Sequence, residues 1–211
     1  MDDNSGIIVQ HVSKSFGKEQ VLKDVNLTIP AGHIFGIVGN NGSGKTVLMK
    51  CICGFMRPDS GVVRVNGQQI GKDCDFPDAL GVIIETPGFL PNLSGYQNLK
   101  ILAALKGRIG KKEILETLTR VGLDPGMKKP VGKYSLGMRQ RLGIAQAIME
   151  EPSVLVLDEP FNGLDRAGAA QMRELLMEQK QAGRAILLAS HNAQDITLLC
   201  DDVHDMEDRW E

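Results

Sequence analysis

The sequence predicts an α/β fold in which a parallel sheet forms the core, with an antiparallel β lobe on one flank and a helical lobe inserted into the chain. The first observation behind it is a strand-loop-helix unit. His33 to Val38 reads as a short buried strand, Gly39 to Thr46 as a glycine-rich loop, and Val47 to Cys53 as a helix stopped by Gly54. The second is alternation after Pro152: an apolar strand Val154 to Leu157, a helix around Ala167 to Gln181, a strand Ala185 to Ser190 and a short helix to Cys200. Strands that alternate with helices pair in parallel, and a purely apolar run suits a strand covered on both faces. The third is a long helical stretch between these two parts.

In chain order, Ile7 to Val12, Val25 to Ile29 and Val62 to Asn66 are short strand-like runs bounded by turn residues, with Asn66-Gly67 as a strong hairpin signal. Short strands joined this way suggest an antiparallel sheet beside the glycine loop. Leu80 to Glu85 is a further strand ending in an acidic residue, followed by a loop containing Pro87, Gly88, Pro91 and Gly95. From Gln97 to Glu151 the apolar spacing turns helical, with Leu99, Leu102 and Ala103, then Ile114, Leu115, Leu118 and Val121, ending at Gly122. The expected layout is one domain over residues 1–211, with the helical lobe at about 88–151.

Gly39-Asn40-Asn41-Gly42-Ser43-Gly44-Lys45-Thr46 fits the pattern G-x-x-x-x-G-K-[ST], in the strand-to-helix context that this pattern requires. Glycines let the backbone curl around a polyphosphate with its N–H groups inward, and the helix N-terminus adds the positive end of its dipole. Lys45 is then expected on the β- and γ-phosphates, and the Thr46 hydroxyl on the Mg²⁺ that bridges them. Val154-Leu155-Val156-Leu157-Asp158-Glu159-Pro160 puts two carboxylates at the C-terminal end of a buried strand, where open α/β sheets present their ligands. Asp158 is expected to orient the Mg²⁺ shell, and Glu159 to polarise the attacking water as general base.

Composition narrows the remaining classes. A net charge of −2 and 4% aromatic residues offer neither a basic footprint nor a stacking platform, which argues against nucleic acid. No apolar run approaches a membrane span, and Met1-Asp2-Asp3-Asn4 lacks the features of a signal peptide, so a cytosolic position is expected. Cys51, Cys53, Cys74 and Cys200 form no paired C-x-x-C set; Cys51 and Cys53 are expected on different sides of one helix, as reduced structural thiols.

With both halves of a nucleotide site in order, the chain resembles the ATP-binding subunit of an ATP-binding cassette (ABC) transporter. That family carries a signature loop, Leu-Ser-Gly-Gly-Gln, between the two halves; here it reads Tyr134-Ser135-Leu136-Gly137-Met138, matching at Ser135 and Gly137. Ser135 is a good helix N-cap whose hydroxyl can also meet a phosphate, and Gly137 permits close backbone approach. Met138, Leu142, Ala145 and Met149 continue the loop as an amphipathic helix. Further matches follow in family order: Phe16 at the adenine-stacking aromatic, Gly163-Leu164-Asp165 at the dimer-contact loop, and His191, whose imidazole can reach the γ-phosphate. Taken alone, Phe16 fits a partly buried core side chain, Asp165 a helix cap and His191 a strand-end residue. His11, His33 and His204 match nothing and are expected to be structural.

Resemblance implies a P-loop NTPase (RecA-like) core and ATP with Mg²⁺ as cofactors. It also implies a homodimer or heterodimer clamping ATP between subunits, and a separate transmembrane permease that holds the chain at the cytoplasmic side of the membrane. Two departures carry information. Where the family has Gln, this chain has Glu85, which is either a further Mg²⁺ ligand, as the resemblance implies, or a solvated loop carboxylate with no contact to metal; with Tyr-Ser-Leu-Gly-Met it resembles bacterial exporters that give resistance or immunity to bacitracin-like and lantibiotic peptides. After Cys200 only Asp201 to Glu211 remain, where relatives usually continue through a further strand pair, which leaves the last strands unassigned. Two rivals stand beside the exporter: a cassette ATPase that regulates a membrane or assembly complex without transport, and a P-loop kinase or GTP-binding switch. The second lacks support, because no phosphoacceptor or base-specificity motif is present.

Overall fold

A computed structural model of the chain describes residues 6–85 and 88–208. Met1 to Asn4 and Pro87, which figured in the expectations above, lie outside them. The chain opens with two long strands, β1 (Gly6–Phe16) and β2 (Glu19–Pro30). Both run well past the apolar segments that mark them in the sequence. The reason is irregular pairing: the β1–β2 register shifts after Val9 and again after Val12 and Lys14, and His11 and Asp24 each take φ 53°. Polar side chains secure those kinks, since the His11 N–H donates to Asn26 Oδ1 at 2.9 Å and the Asp24 N–H to Ser13 Oγ at 3.0 Å.

Next come β3 (Ile34–Val38) and α1 (Lys45–Ile52), the helix starting at the lysine itself rather than at Val47. Then β4 (Ser60–Val65) and β5 (Gln68–Gln69) form the hairpin expected at Asn66-Gly67. These strands complete an antiparallel sheet of order β2-β1-β4-β5. After β6 (Leu80–Ile83), which stops two residues short of Glu85, the helical lobe holds α2 (Gly95–Lys106), α3 (Lys111–Arg120) and α4 (Leu136–Ile148). α2 begins before Gln97 because Ser94 and Gln97 form a capping box: Ser94 Oγ accepts from the Gln97 N–H at 3.3 Å and Gln97 Oε1 from the Ser94 N–H at 2.9 Å.

The chain then alternates through β7 (Val154–Asp158), α5 (Arg166–Gln181), β8 (Ala185–Ala189), α6 (Ala193–Leu199) and β9 (Asp202–Asp205). A parallel sheet of order β6-β7-β8-β3-β9 results. β9 answers the question left by the C-terminal stretch: it adds one parallel edge strand against β3.

Period-two alternation explains why the central strands are apolar throughout. Val154, Val156, Ala185, Leu187 and Ala189 join a core with α1 and the β lobe, whereas Leu155, Leu157, Ile186 and Leu188 join a second core with Leu99, Leu142, Met172 and Leu176. α4 is more deeply set than its predicted stripe: Gln140, Gly143, Ile144, Ala147 and Ile148 are buried as well as Leu142 and Ala145. Cys51 and Cys53 do not share one helix as expected, since Cys53 is the C-cap. α1 ends at Ile52, and both thiols are buried in the same core, where burial pushes them up to about 11 and about 12 and keeps them protonated.

Candidate functional site

The sheet order sets up the site. β6, β7, β8 and β3 are neighbours, so their C-terminal ends deliver Glu85, the Asp158-Glu159 pair, His191 and the glycine loop to one edge. Between them lies an open cleft of about 550 Å³, lined by Phe16, Gly44, Lys45, Thr46, Glu85, Asp158, Glu159 and His191 among others. These eight residues, scattered from 16 to 191 in the chain, line one cleft.

Gly39, Gly42 and Gly44 take φ of 135°, 89° and 100°. A side chain at Gly39 would also strike Ser43 Oγ, its Cβ falling 2.8 Å away, so this turn is closed to other residues. The Lys45 ammonium folds back over the loop, donating to the carbonyls of Gly39 at 2.5 Å and Asn40 at 3.0 Å. Ser43 Oγ is buried without a hydrogen-bond partner among the described residues. A glycine-rich turn at a helix N-terminus, with one ammonium and one unsatisfied buried hydroxyl, suits an oxyanion.

Thr46 Oγ1 donates to Asp158 Oδ2 at 3.1 Å, joining the first turn of α1 to the end of β7. Burial raises the Asp158 proton affinity; the Thr46 hydrogen bond and Lys45 oppose that, and the charge on Glu85 adds to it. A hydroxyl and a carboxylate are hard oxygen donors that fit Mg²⁺. No group of three or more His, Cys, Asp or Glu among the described residues could hold a metal ion, so a cation here needs further oxygens from a phosphate.

Glu159 takes φ 49°, a left-handed conformation rare outside glycine. Three contacts fix it: its N–H donates to Ala189 O at 2.9 Å, its carbonyl accepts from Gln140 Nε2 at 3.0 Å, and its Oε1 accepts from the His191 N–H at 3.0 Å. His191 Nδ1 lies 2.7 Å from the same Oε1. The imidazole expected at a phosphate is thus engaged with the neighbouring carboxylate. Burial pushes the Glu159 carboxyl above its usual range, with Asp158 adding to the rise and His191 opposing it. A carboxylate with raised proton affinity is the better proton acceptor near neutral pH.

Glu85 also sits at left-handed φ, 58°, and its Oε1 is 2.7 Å from Lys50 Nζ on α1. Lys50 has no motif to announce it, and sequence reading missed it, as it missed the Gln140 contact. Phe16 closes β1 at the rim of the cleft with 48% of its surface exposed, and the Lys14 ammonium lies 5.8 Å from its ring centre.

Not every expected residue lines the cleft: Gly39, Asn40 and Ser43 of the loop do not, and of the signature stretch Leu136 does while Ser135 and Gly137 do not. Ser135 caps α4, its Oγ accepting from the Met138 N–H at 3.2 Å. Gly137 permits a close approach, but to the chain's own Gly163: a Cβ there would fall 2.8 Å from Gly163 O. Asp165 caps α5 by accepting from the Gly168 N–H at 2.9 Å. Tyr134, where the signature has Leu, is buried and accepts from the Gly95 N–H at 3.2 Å, which ties the loop to the start of α2.

Comparison with known proteins agrees with this geometry. Residues 22–162 match the family described as ABC transporter. An uncharacterized ABC transporter ATP-binding protein of Bacillus subtilis (strain 168), YybJ, is 42% identical over 195 residues, covering 92% of this chain and 89% of its own. The bacitracin transport ATP-binding protein BcrA of Enterococcus faecalis is 42% identical over 92% of this chain, which spans only 64% of BcrA's length. The lantibiotic transport ATP-binding protein SrtF of Streptococcus pyogenes is 38% identical, covering 92% of this chain and 83% of its own. A solved ATP-binding subunit of an ABC transporter superposes with TM-score 0.85 at 28% identity, over 95% of this chain and 85% of its own. A bacterial ABC transporter cassette solved as a dimer gives 0.84 at 23% identity, over 94% and 93%. The chain belongs to the ABC transporter family, as an ATP-binding subunit that hydrolyses ATP.

Proposed function

We propose that this subunit powers a bacterial exporter for antimicrobial peptides of the bacitracin or lantibiotic kind, acting as one nucleotide-binding domain with a helical lobe at residues 88–151. The observation that carries the mechanism is the convergence of Lys45, the Thr46–Asp158 pair and the Glu159–His191 pair on one cleft. Lys45 and the loop N–H groups hold the β- and γ-phosphates, and Phe16 stacks on the base. Thr46, Asp158 and Glu85 orient Mg²⁺, which supplies charge neutralisation at the phosphates when bound. Glu159 accepts the proton of the attacking water while His191 fixes the carboxylate's position.

Ser135 and Gly137 contribute to the phosphate site of a second, identical or homologous, subunit. Their place beside Leu136 at the rim of the open cleft, with neither lining it, supports that reading. Closure of two such subunits on ATP, and reopening after hydrolysis, moves a separate permease at the cytoplasmic face of the membrane. No helix among the described residues is long and apolar enough to cross a membrane. Exposed Phe55 and Phe76, whose ring centres lie 6.0 Å apart, offer an apolar patch to the permease.

The peptide substrate is supported by BcrA and SrtF, relatives of transport systems for such peptides, and by Glu85 in place of Gln. Expression with the permease genes beside it in a sensitive host, with bacitracin and a lantibiotic as challenges, tests the substrate class. Raised tolerance that disappears with Lys45→Ala supports the reading; unchanged tolerance to both peptides refutes it.

A further inference from the structure

A buried ion pair outside the cleft holds both flanks of the Glu159–His191 contact. Arg173, on the inner face of α5, reaches Asp195 in the first turn of α6: Nε and Nη2 lie 2.7 and 2.6 Å from Asp195 Oδ1. Asp195 is 1% exposed, so its charge is withdrawn from water and depends on these partners. Its other oxygen, Oδ2, accepts from Ser190 Oγ at 3.3 Å, and Ser190 Oγ in turn accepts from the Asn192 N–H at 3.2 Å. His191 stands between Ser190 and Asn192. On the other flank, the Arg173 guanidinium lies 5.8 Å from the ring centre of Phe161, two residues beyond Glu159.

We propose that Arg173 and Asp195 are positioning residues for ATP hydrolysis, bracing the ends of β7 and β8 so that His191 Nδ1 meets Glu159 Oε1 at 2.7 Å. Two features of the structure demand such a brace. Glu159 occupies a left-handed backbone conformation that relaxes unless its surroundings hold it. His191 is in a turn between a strand and a helix of only seven residues, and turns of that kind drift without side-chain anchors. Neither Arg173 nor Asp195 touches the glycine loop, so the pair governs the geometry of proton transfer and leaves nucleotide binding alone. The proposal rests on the Glu159–His191 assignment above.

The test is a double-mutant cycle on the assembled transporter. Arg173→Met alone leaves Asp195 buried and unpaired, which threatens folding, so the informative variant is Arg173→Met with Asp195→Leu, which removes both charges at similar volume. That double variant should unfold at a denaturant concentration close to wild type and keep the KM for ATP within about twofold. Its kcat should fall by about tenfold to a hundredfold, the range expected for misplacement on the scale of an ångström. In a His191→Ala background the same double change should cost no further turnover, because the group it positions is gone. Wild-type kcat in the double variant, or an equal loss with and without His191, overturns the brace and leaves the pair a packing feature. His191→Ala with wild-type turnover overturns the site assignment itself, and the brace falls with it.

Discussion

Glu85→Gln separates an electrostatic role from a structural one at the residue where this chain departs from its family's pattern. Glutamine keeps the shape, removes one negative charge and releases the Lys50 ammonium from its 2.7 Å contact. With the two side chains 31% and 64% exposed, the pair contributes no more than about 0.2–1 kcal/mol, so the variant should unfold near the wild-type midpoint. Function should change more. A direct contact to a charged group is worth roughly 1.5–3 kcal/mol. Loss of the carboxylate should therefore raise the Mg²⁺ concentration for half-maximal turnover by about tenfold or more. Glu85 is also one of the charges that raise Asp158, so its removal lets Asp158 stay ionised to lower pH and moves the acid limb of Mg²⁺-dependent turnover downward. Lys50→Met should act in the opposite direction on Mg²⁺, because it frees the Glu85 carboxylate. The assay is a Mg²⁺ titration of ATP turnover at fixed ATP, with nucleotide binding and urea unfolding measured beside it. Unchanged Mg²⁺ midpoints in both variants would refute a role for Glu85 at the metal and leave it a solvated loop carboxylate.

Four further outcomes follow from the same geometry. Burial raises the Glu159 carboxyl, so turnover should fall with decreasing pH along a limb above the ordinary glutamate value of about 4.3, and a limb at or below that value contradicts the base role. The linked stability has the matching sign: a raised carboxyl pKa stabilises below the unfolded value and loses that contribution as pH rises through the folded one. Glu159→Gln should therefore gain on wild type in denaturation curves as pH rises above the ordinary glutamate value of about 4.3. Ser135→Arg should abolish steady-state hydrolysis while a lone subunit still binds ATP, since Ser135 lies outside its own chain's cleft; a lone subunit that hydrolyses ATP normally with this change contradicts the shared site. Gly81→Ala should cost about 1–3 kcal/mol in urea unfolding, because a Cβ there would fall 2.0 Å from Ala147 O; an unchanged midpoint would mean that β6 and α4 pack less tightly than described.

What was legible in the sequence is what local pattern encodes. The glycine loop, the apolar β7 with its terminal carboxylates, and the Ser135 and Asp165 caps each occupy a short window, and each lies where that window implies. β1 and β2 were read short because His11, Ser13 and Asp24, which secure their kinks, look like turn residues in isolation. β9 was missed because Asp202-Val203-His204-Asp205 has no apolar alternation; it pairs as an edge strand through its backbone. The contacts that tune the site were illegible for another reason. Lys50 and Glu85 are 35 residues apart, Glu159 and His191 32, and Arg173 and Asp195 22, and only the order of the parallel sheet and its covering helices brings them together. The Gly137 approach to Gly163 belongs to the same class: the need for glycine was readable, but its partner was not.

The central claim is that ATP is bound at Lys45 and hydrolysed with Glu159 as the base. Phosphate release in a single turnover, measured beside ATP binding for wild type, Lys45→Ala and Glu159→Gln in the assembled transporter, tests it most directly. Wild type should bind and release phosphate. Glu159→Gln should bind as tightly but release phosphate at least about a hundredfold more slowly, and Lys45→Ala should lose tight binding altogether. Phosphate release by Glu159→Gln at the wild-type rate, or tight ATP binding by Lys45→Ala, would contradict the account.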